Sequence, residues 1–240
     1  MMKKQSPYPI SIFWWFYLPI AVFIALFFAR QQLPDFTLNV VDGENGIVEL
    51  AQFFILVLGV FASIRVIIEA LAQQKKMILG WASLAFFGCL YVALEEVSYG
   101  QHFFGWEANE FWQTHNDQNE TNLHNTSSWL DQKPRLILEI GIIVGGIIIP
   151  LLRRFKPSAL PVQFKDLYPA SILFICALLA ELAHAADALK TYFDFRFFGR
   201  NSEVQELYYF YFVLLYLILL RKDLIKAKEP KTSEIEKDPS

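Results

Sequence analysis

The chain has 240 residues and a formal net charge of −3, with 55% apolar and 19% charged residues. Soluble domains are less apolar and carry nearer a quarter charged residues, so an ordinary soluble globular fold is excluded. A near-neutral balance with no basic stripe also speaks against nucleic acid as a partner.

The apolar excess falls in six blocks, near 10–30, 47–70, 77–99, 135–152, 169–190 and 204–222. A bilayer core of about 30 Å needs roughly 20 apolar residues per helix. Backbone in lipid must bond within its own segment. The reading is therefore all-α: a polytopic bundle of six transmembrane helices over 1–222, followed by a polar, disordered cytosolic tail over 223–240. The first block is too long for a cleaved signal peptide, and no Ala-x-Ala-like site precedes Arg30. It is uncharged from 10 to 29 and carries Trp14, Trp15 and Tyr17, which suits a peripheral helix facing lipid. Cys89 and Cys176 both fall in mid-helix and read as packing residues without a disulfide framework.

Lysine and arginine set the orientation. With the N-terminus inside, fourteen of them (Lys3, Lys4, Lys75, Lys76, Arg153, Arg154, Lys156, Lys165, Arg221, Lys222, Lys226, Lys228, Lys231 and Lys237) fall on the cytoplasmic side. Six, namely Arg30, Lys133, Arg135, Lys190, Arg196 and Arg200, fall outside, while Arg65 lies within a helix. Both termini are expected in the cytoplasm of a bacterium, with the chain in the inner (plasma) membrane.

The acids gather at the opposite, outer ends of helices 2 to 6. They are Asp42, Glu44 and Glu49; then Glu95 and Glu96 beside Ser98; then Glu139; then Glu181 and Asp187 around His184; then Glu203 and Glu206. A charge near a helix centre costs about 2.5–3.5 kcal/mol on the insertion scale, so such residues need partners. In the turn "VDGENGIVEL", Asp42, Glu44 and Glu49 offer oxygen ligands to a hard cation; a capping turn built on Asp42 and Asn45 is the alternative. At 100° per residue, Gly88, Tyr91, Glu95, Ser98 and Tyr99 share a stripe of helix 3, with His102 in line if the helix survives Gly100. Glu181, His184 and Asp187 share one face of helix 5. In helix 4, Gly141 and Gly145 form a GxxxG pattern beside Gly146, expected to bring helices close.

Residues 100–134 form an extracytoplasmic loop rich in Phe and Trp, expected to lie along the outer interface as one or two short helices. It contains "THNDQNETNLHN", residues 114–125, with Gln118, Glu120 and Asn125 among its polar groups. The sequons at Asn119 and Asn125 read as chance. All four histidines, His102, His115, His124 and His184, belong to the outer face. Imidazole with carboxylates is a ligand set for zinc and other divalent metals, although no tight motif such as His-Glu-x-x-His is present.

Two stretches carry a resemblance. Glu95-Glu96-Val97-Ser98-Tyr99-Gly100-Gln101 and Asn116-Asp117-Gln118-Asn119-Glu120-Thr121-Asn122-Leu123-His124-Asn125 resemble an uncharacterised family of bacterial multi-pass membrane proteins. That family has an acidic pair before Ser-Trp-Gly-Gln and a later Asn-x-Gln-x-Glu-Thr-x-Leu-His-Asn loop, and the resemblance implies a fold without an activity. Arginine often stands there in place of His102, which counts against His102 as a ligand. Ser98-x-x-x-His102 and the acidic 42–49 segment are loosely similar to alkaline ceramidase-like membrane hydrolases. That likeness implies zinc and a lipid-amide substrate, but the second His-x-x-x-His is missing at His184. A likeness to glutamate-dependent membrane proteases fails at Gly100, where arginine is expected.

Two functions follow as expectations. One is a metal-dependent hydrolase acting on a lipid amide or ester, with a metal on His184, Asp187 or Glu181 and on His124, His115 or His102. In it Glu95 is the general base, and Ser98 and Glu96 assist. The other is a non-enzymatic protein that binds lipid or a protein partner, its outer acids and amides forming a fixed network that anchors the loop. A small-solute transporter ranks third, because the polar groups sit near one surface and not at mid-membrane.

Overall fold

A computed structural model describes residues 10–41, 46–116, 121–123, 128–193 and 195–228. Among these the chain is all-helical, without a strand. We number the principal helices α1 (Phe13–Gln32), α2 (Ile47–Ala72), α3 (Lys76–Glu96), α4 (Gln101–Phe104) and α5 (Glu110–His115). Next, α6 runs through Ser128–Ile142, a π-helical stretch Ile143–Ile148, and Ile149–Phe155. It is followed by α7 (Phe174–Phe193) and α8 (Asn201–Lys228).

Five of these, α1, α2, α3, α6 and α8, are long and apolar enough to cross a membrane. At 1.5 Å per residue, the 26 residues of α2 reach about 39 Å, more than a bilayer core. Their outward faces are large apolar side chains: Phe54, Phe61, Leu84, Phe87 and Ile137 are each more than half exposed. A soluble monomer does not display apolar surface on that scale, and the chain is accordingly a helical membrane protein. The remaining expected span, the fifth block at 169–190, corresponds to α7, which is not among the five; its 20 residues include Glu181, Asp187 and Lys190.

The bundle is organised around α8. In its most apolar stretch 72% of the residues are buried, against 11% in α1, which is the peripheral helix its sequence suggests. Tyrosines of α8 pin the neighbours by their hydroxyls. Tyr208 donates to the Pro19 carbonyl at 2.7 Å, Tyr211 to Trp14 at 2.6 Å and Tyr216 to Leu167 at 3.0 Å. Helices α2 and α3 form a hairpin closed at Gln74, with φ +54. Their close crossing sets Gly59 against Cys89, where an added methyl would lie 2.9 Å from the sulfur.

The GxxxG expectation needs correction. Gly145 and Gly146 make the close approach, to Pro169 and to Ala177 with Phe212, while nothing lies within 4 Å of a methyl added at Gly141. The close contact lies further along the helix: Gly145 and Gly146 fall in the π-helical stretch and are buried, whereas Gly141 precedes it and is exposed. A second difference lies at the C-terminus. Helix α8 continues to Lys228 into the expected tail, because Leu224 is buried and Gln73 donates to its carbonyl at 3.1 Å. Residues 229–240 of that tail fall outside the described residues.

Candidate functional site

The acids do converge at one end of the bundle, where α2 and α8 begin and α3 ends. They form three groups.

In the first, Glu139 of α6 meets Glu181 and His184 of α7. A ligand atom from each lies within 4.8 Å of the other two. The i, i+3 spacing puts Glu181 and His184 on one face of α7. His184 Nδ1 lies 2.9 Å from Glu139 Oε1 and 2.8 Å from Gln205 Nε2 of α8. Gln205 also donates to the Tyr209 hydroxyl, which in turn donates to Glu181 Oε1 at 3.3 Å. Five polar side chains thus form a connected chain across three helices, its two ends, Glu139 and Glu181, brought near each other. Tyr209 is fully buried and Gln205 nearly so, whereas the His184 side chain is 52% exposed. The group therefore has a rigid inner wall and an open outer side. One imidazole with two carboxylates is a donor set suited to zinc, manganese or iron.

The second group is ionic. Arg200 lies 3.2 Å from Glu49 and 3.9 Å from Glu203, and Arg135 lies 2.7 Å from Glu206. Gln52, fully buried on α2, donates to the Glu203 carbonyl at 2.9 Å and to its carboxylate at 3.3 Å. Glu96 sits in the field of Glu206, Glu203, Glu49 and Arg135. Two of the arginines expected on this side, Arg135 and Arg200, are thus paired to acids of other helices.

The third group fastens the loop. Helix α3 ends at Glu96, and Ser98, Tyr99 and Gly100 take successive positive φ values of +46, +55 and +104. Non-glycine residues there cost on the order of 1–3 kcal/mol each and persist where their surroundings over-determine them. Here the surroundings are hydrogen bonds. Glu95 Oε2 accepts the Leu123 backbone N–H at 2.8 Å. Asn122 Nδ2 donates to Ser98 Oγ at 3.0 Å, and Ser98 Oγ lies 3.0 Å from His102 Nε2. Gln101 Oε1 accepts both the N–H and the hydroxyl of Thr121 at 2.7 Å. Asn116 Nδ2 holds Asn122 through its carbonyl at 3.1 Å and its Oδ1 at 2.8 Å. Glu95, Ser98, Asn116 and Asn122 are all buried. Desolvation, followed by a hydrogen bond to Glu95, pushes the Tyr99 phenol well above its ordinary value.

The structure distributes the expected site residues among these groups. Glu181 and His184 are together, joined by Glu139 where Asp187 was expected. Asp187 Oδ1 accepts Asn201 Nδ2 at 2.7 Å. Glu95 and Ser98 hold the loop, Glu96 and Glu49 belong to the ionic group, and His102 meets Ser98 across the turn and not along a continued helix. His115 is exposed, stacked on Phe111 at 4.6 Å and with Nδ1 2.8 Å from the Phe111 carbonyl. Asp42, Glu44, Gln118, Glu120, His124 and Asn125 lie outside the described residues. Glu139, Gln205 and Tyr209 are the members that sequence reasoning did not select. Glu139 is visible in the sequence as one more outer acid, and nothing in its spacing ties it to Glu181.

No family model, no curated protein and no solved structure matches the chain.

Proposed function

We propose that the chain is a six-span inner-membrane protein that binds a divalent metal ion through Glu139, Glu181 and His184 at its extracytoplasmic rim, and hydrolyses a lipid ester or amide there. The observation that carries this reading is the convergence of those three donors from two helices, backed by Gln205 and Tyr209. In it α7 completes the six spans as the fifth in chain order, its charged residues set at the rim end, and the excess of Lys and Arg at the opposite helix ends supports a rim outside the cytoplasm. An ion of the zinc class polarises a carbonyl oxygen and activates water near neutral pH. Gln205 and Tyr209 fix the orientation of the ligands, as outer-sphere partners of metal sites do. The exposed side of His184 leaves room for a lipid headgroup. Glu95 and Ser98 serve in this reading to hold the loop, not as base and oxyanion donor.

Metal analysis of the protein purified in detergent, after exposure to zinc, manganese and iron in turn, tests the proposal. About one ion per chain is expected, lost in His184→Ala and in Glu139→Gln. A wild-type protein that retains none of the three overturns it. Mass-spectrometric screening of lipid esters and amides with the loaded protein then identifies the substrate.

A second reading rests on the loop-fastening group. Glu95, Ser98 and Gln101 all serve to seat Thr121–Leu123, which is how a non-enzymatic lipid- or protein-binding surface would be kept in shape. Metal-free protein that still binds a partner through the loop would favour it.

A further inference from the structure

The short helix α4 is a single turn bounded by two glycines with positive φ, Gly100 at +104 and Gly105 at +66. Its two sides differ in chemistry. Gln101 and His102 face the loop-fastening group, through Thr121 and Ser98 respectively. Phe103 and Phe104 face away from it and are 55% and 80% exposed. Trp106 stacks on Phe104, with ring centroids 6.0 Å apart and planes 10° from parallel. Its N–H points back to the Thr121 hydroxyl at 3.2 Å. An indole with its ring outward and its N–H on a polar layer is the arrangement that favours a membrane–water boundary.

This aromatic surface does not stand apart from the bundle. The Phe103 ring packs on Phe53 of α2 at 5.5 Å, and the next residue, Phe54, is among the outward apolar side chains of that helix. Phe53 lies six residues into α2, about 9 Å along its axis from the rim end. The turn is therefore continuous with the lipid-facing belt at the depth where the acyl region of a leaflet gives way to headgroups. A water-exposed turn would have no reason to put its largest apolar side chains outward while its polar ones are spent on internal hydrogen bonds.

We propose that the 101–106 turn is a membrane anchor, with Phe103, Phe104 and Trp106 inserted at the headgroup–acyl boundary of the leaflet that meets the carboxylate rim. The anchor goes beyond the proposed metal chemistry and does not depend on it. Its occupant is lipid, and its role is to hold the strained Ser98–Gly100 segment, and the loop seated on it, flush with the bilayer.

Because Cys89 and Cys176 are buried, a cysteine introduced by Phe104→Cys can be labelled selectively with an environment-sensitive fluorophore. The full chain is then placed in vesicles of phosphatidylcholine and phosphatidylglycerol. The expected result is blue-shifted emission, stronger loss of fluorescence to a lipid spin label near the headgroup than to one at the chain end, and little loss to aqueous iodide. Efficient iodide quenching without lipid quenching overturns the proposal and leaves the turn in water. Blue-shifted emission insensitive to both quenchers also overturns it, since a second copy or another protein then covers the face. Trp106→Cys, labelled in the same way, supplies the same decision from a neighbouring position if Phe104→Cys fails to fold.

Discussion

Glu95 and Leu123 are 28 positions apart, yet the carboxylate of one accepts the backbone N–H of the other at 2.8 Å. A buried acid at the end of an apolar helix is thereby satisfied by the loop that follows it. The relationship is structural first: the acid seats the chain segment that brings Asn122 onto Ser98.

Replacing Glu95 separates this role from a catalytic one. A hydrogen bond to a charged group contributes about 1.5–3 kcal/mol. Glu95→Leu is expected to speed hydrogen exchange of the Leu123 amide on the order of tenfold to a hundredfold. Glu95→Gln keeps an acceptor and is expected to change it by less than about tenfold. Exchange measured by mass spectrometry in nanodiscs gives the comparison, and an unaltered rate in Glu95→Leu would show that this bond does not hold the loop.

The Tyr99 phenol gives the same latch a pH dependence. Desolvation and the Glu95 hydrogen bond raise its pKa in the folded protein, so the folded state keeps a proton that the unfolded chain gives up near pH 10. Above that pH the unfolded chain binds fewer protons than the folded one, and the contribution of Tyr99 to stability falls as pH rises. It is fully present below about pH 10. Protection of the Leu123 amide should therefore weaken at alkaline pH in the wild type more than in Tyr99→Phe. Parallel pH profiles for the two proteins would refute the assignment.

Five of the expected spans were legible in the sequence because a bilayer imposes a length and a composition on every helix. The crowding of acids at one end was legible because lysine and arginine fix which helix ends are together. What the sequence did not disclose is which acids touch. The choice between Asp187 and Glu139 as partner to Glu181 and His184 depends on how α6 is rotated against α7, and no local pattern encodes that. The end of α3 was obscured for another reason. Ser98 and Tyr99 take left-handed conformations that their residue types disfavour. These conformations are held by Asn122 and Glu95, one of them distant in the chain.

The glycines of α6 allow a sharper test of packing. A methyl at Gly146 would lie 2.5 Å from the Ala177 Cβ and 2.8 Å from a Phe212 ring carbon. Neither neighbour has a flexible end to move, so Gly146→Ala should cost about 1–3 kcal/mol, as overpacking does. Gly141→Ala meets open space and should stabilise by up to about 1 kcal/mol through helix propensity. Unfolding midpoints in mixed detergent should move in opposite directions. Equal losses at both positions would mean that α6 packs through the regular GxxxG face after all.

Tyr209 is where the fold and the proposed metal centre meet. Its ring is buried against the core of the bundle, while its hydroxyl takes a hydrogen bond from Gln205 and gives one to Glu181. Tyr209→Phe keeps the ring and removes the hydroxyl. Gln205 then loses a buried acceptor, which costs about 1–3 kcal/mol. Glu181 loses the donor that orients it, and loss of such a partner typically weakens metal binding by about 10–100-fold. Chelator competition and unfolding midpoints, measured on the same protein, separate the two effects. A lowered midpoint with unchanged metal affinity would make Tyr209 a packing residue and detach the Gln205–Tyr209 wall from the centre. A lowered affinity at constant occupancy of Glu139 and His184 would tie the central helix to the chemistry of the rim.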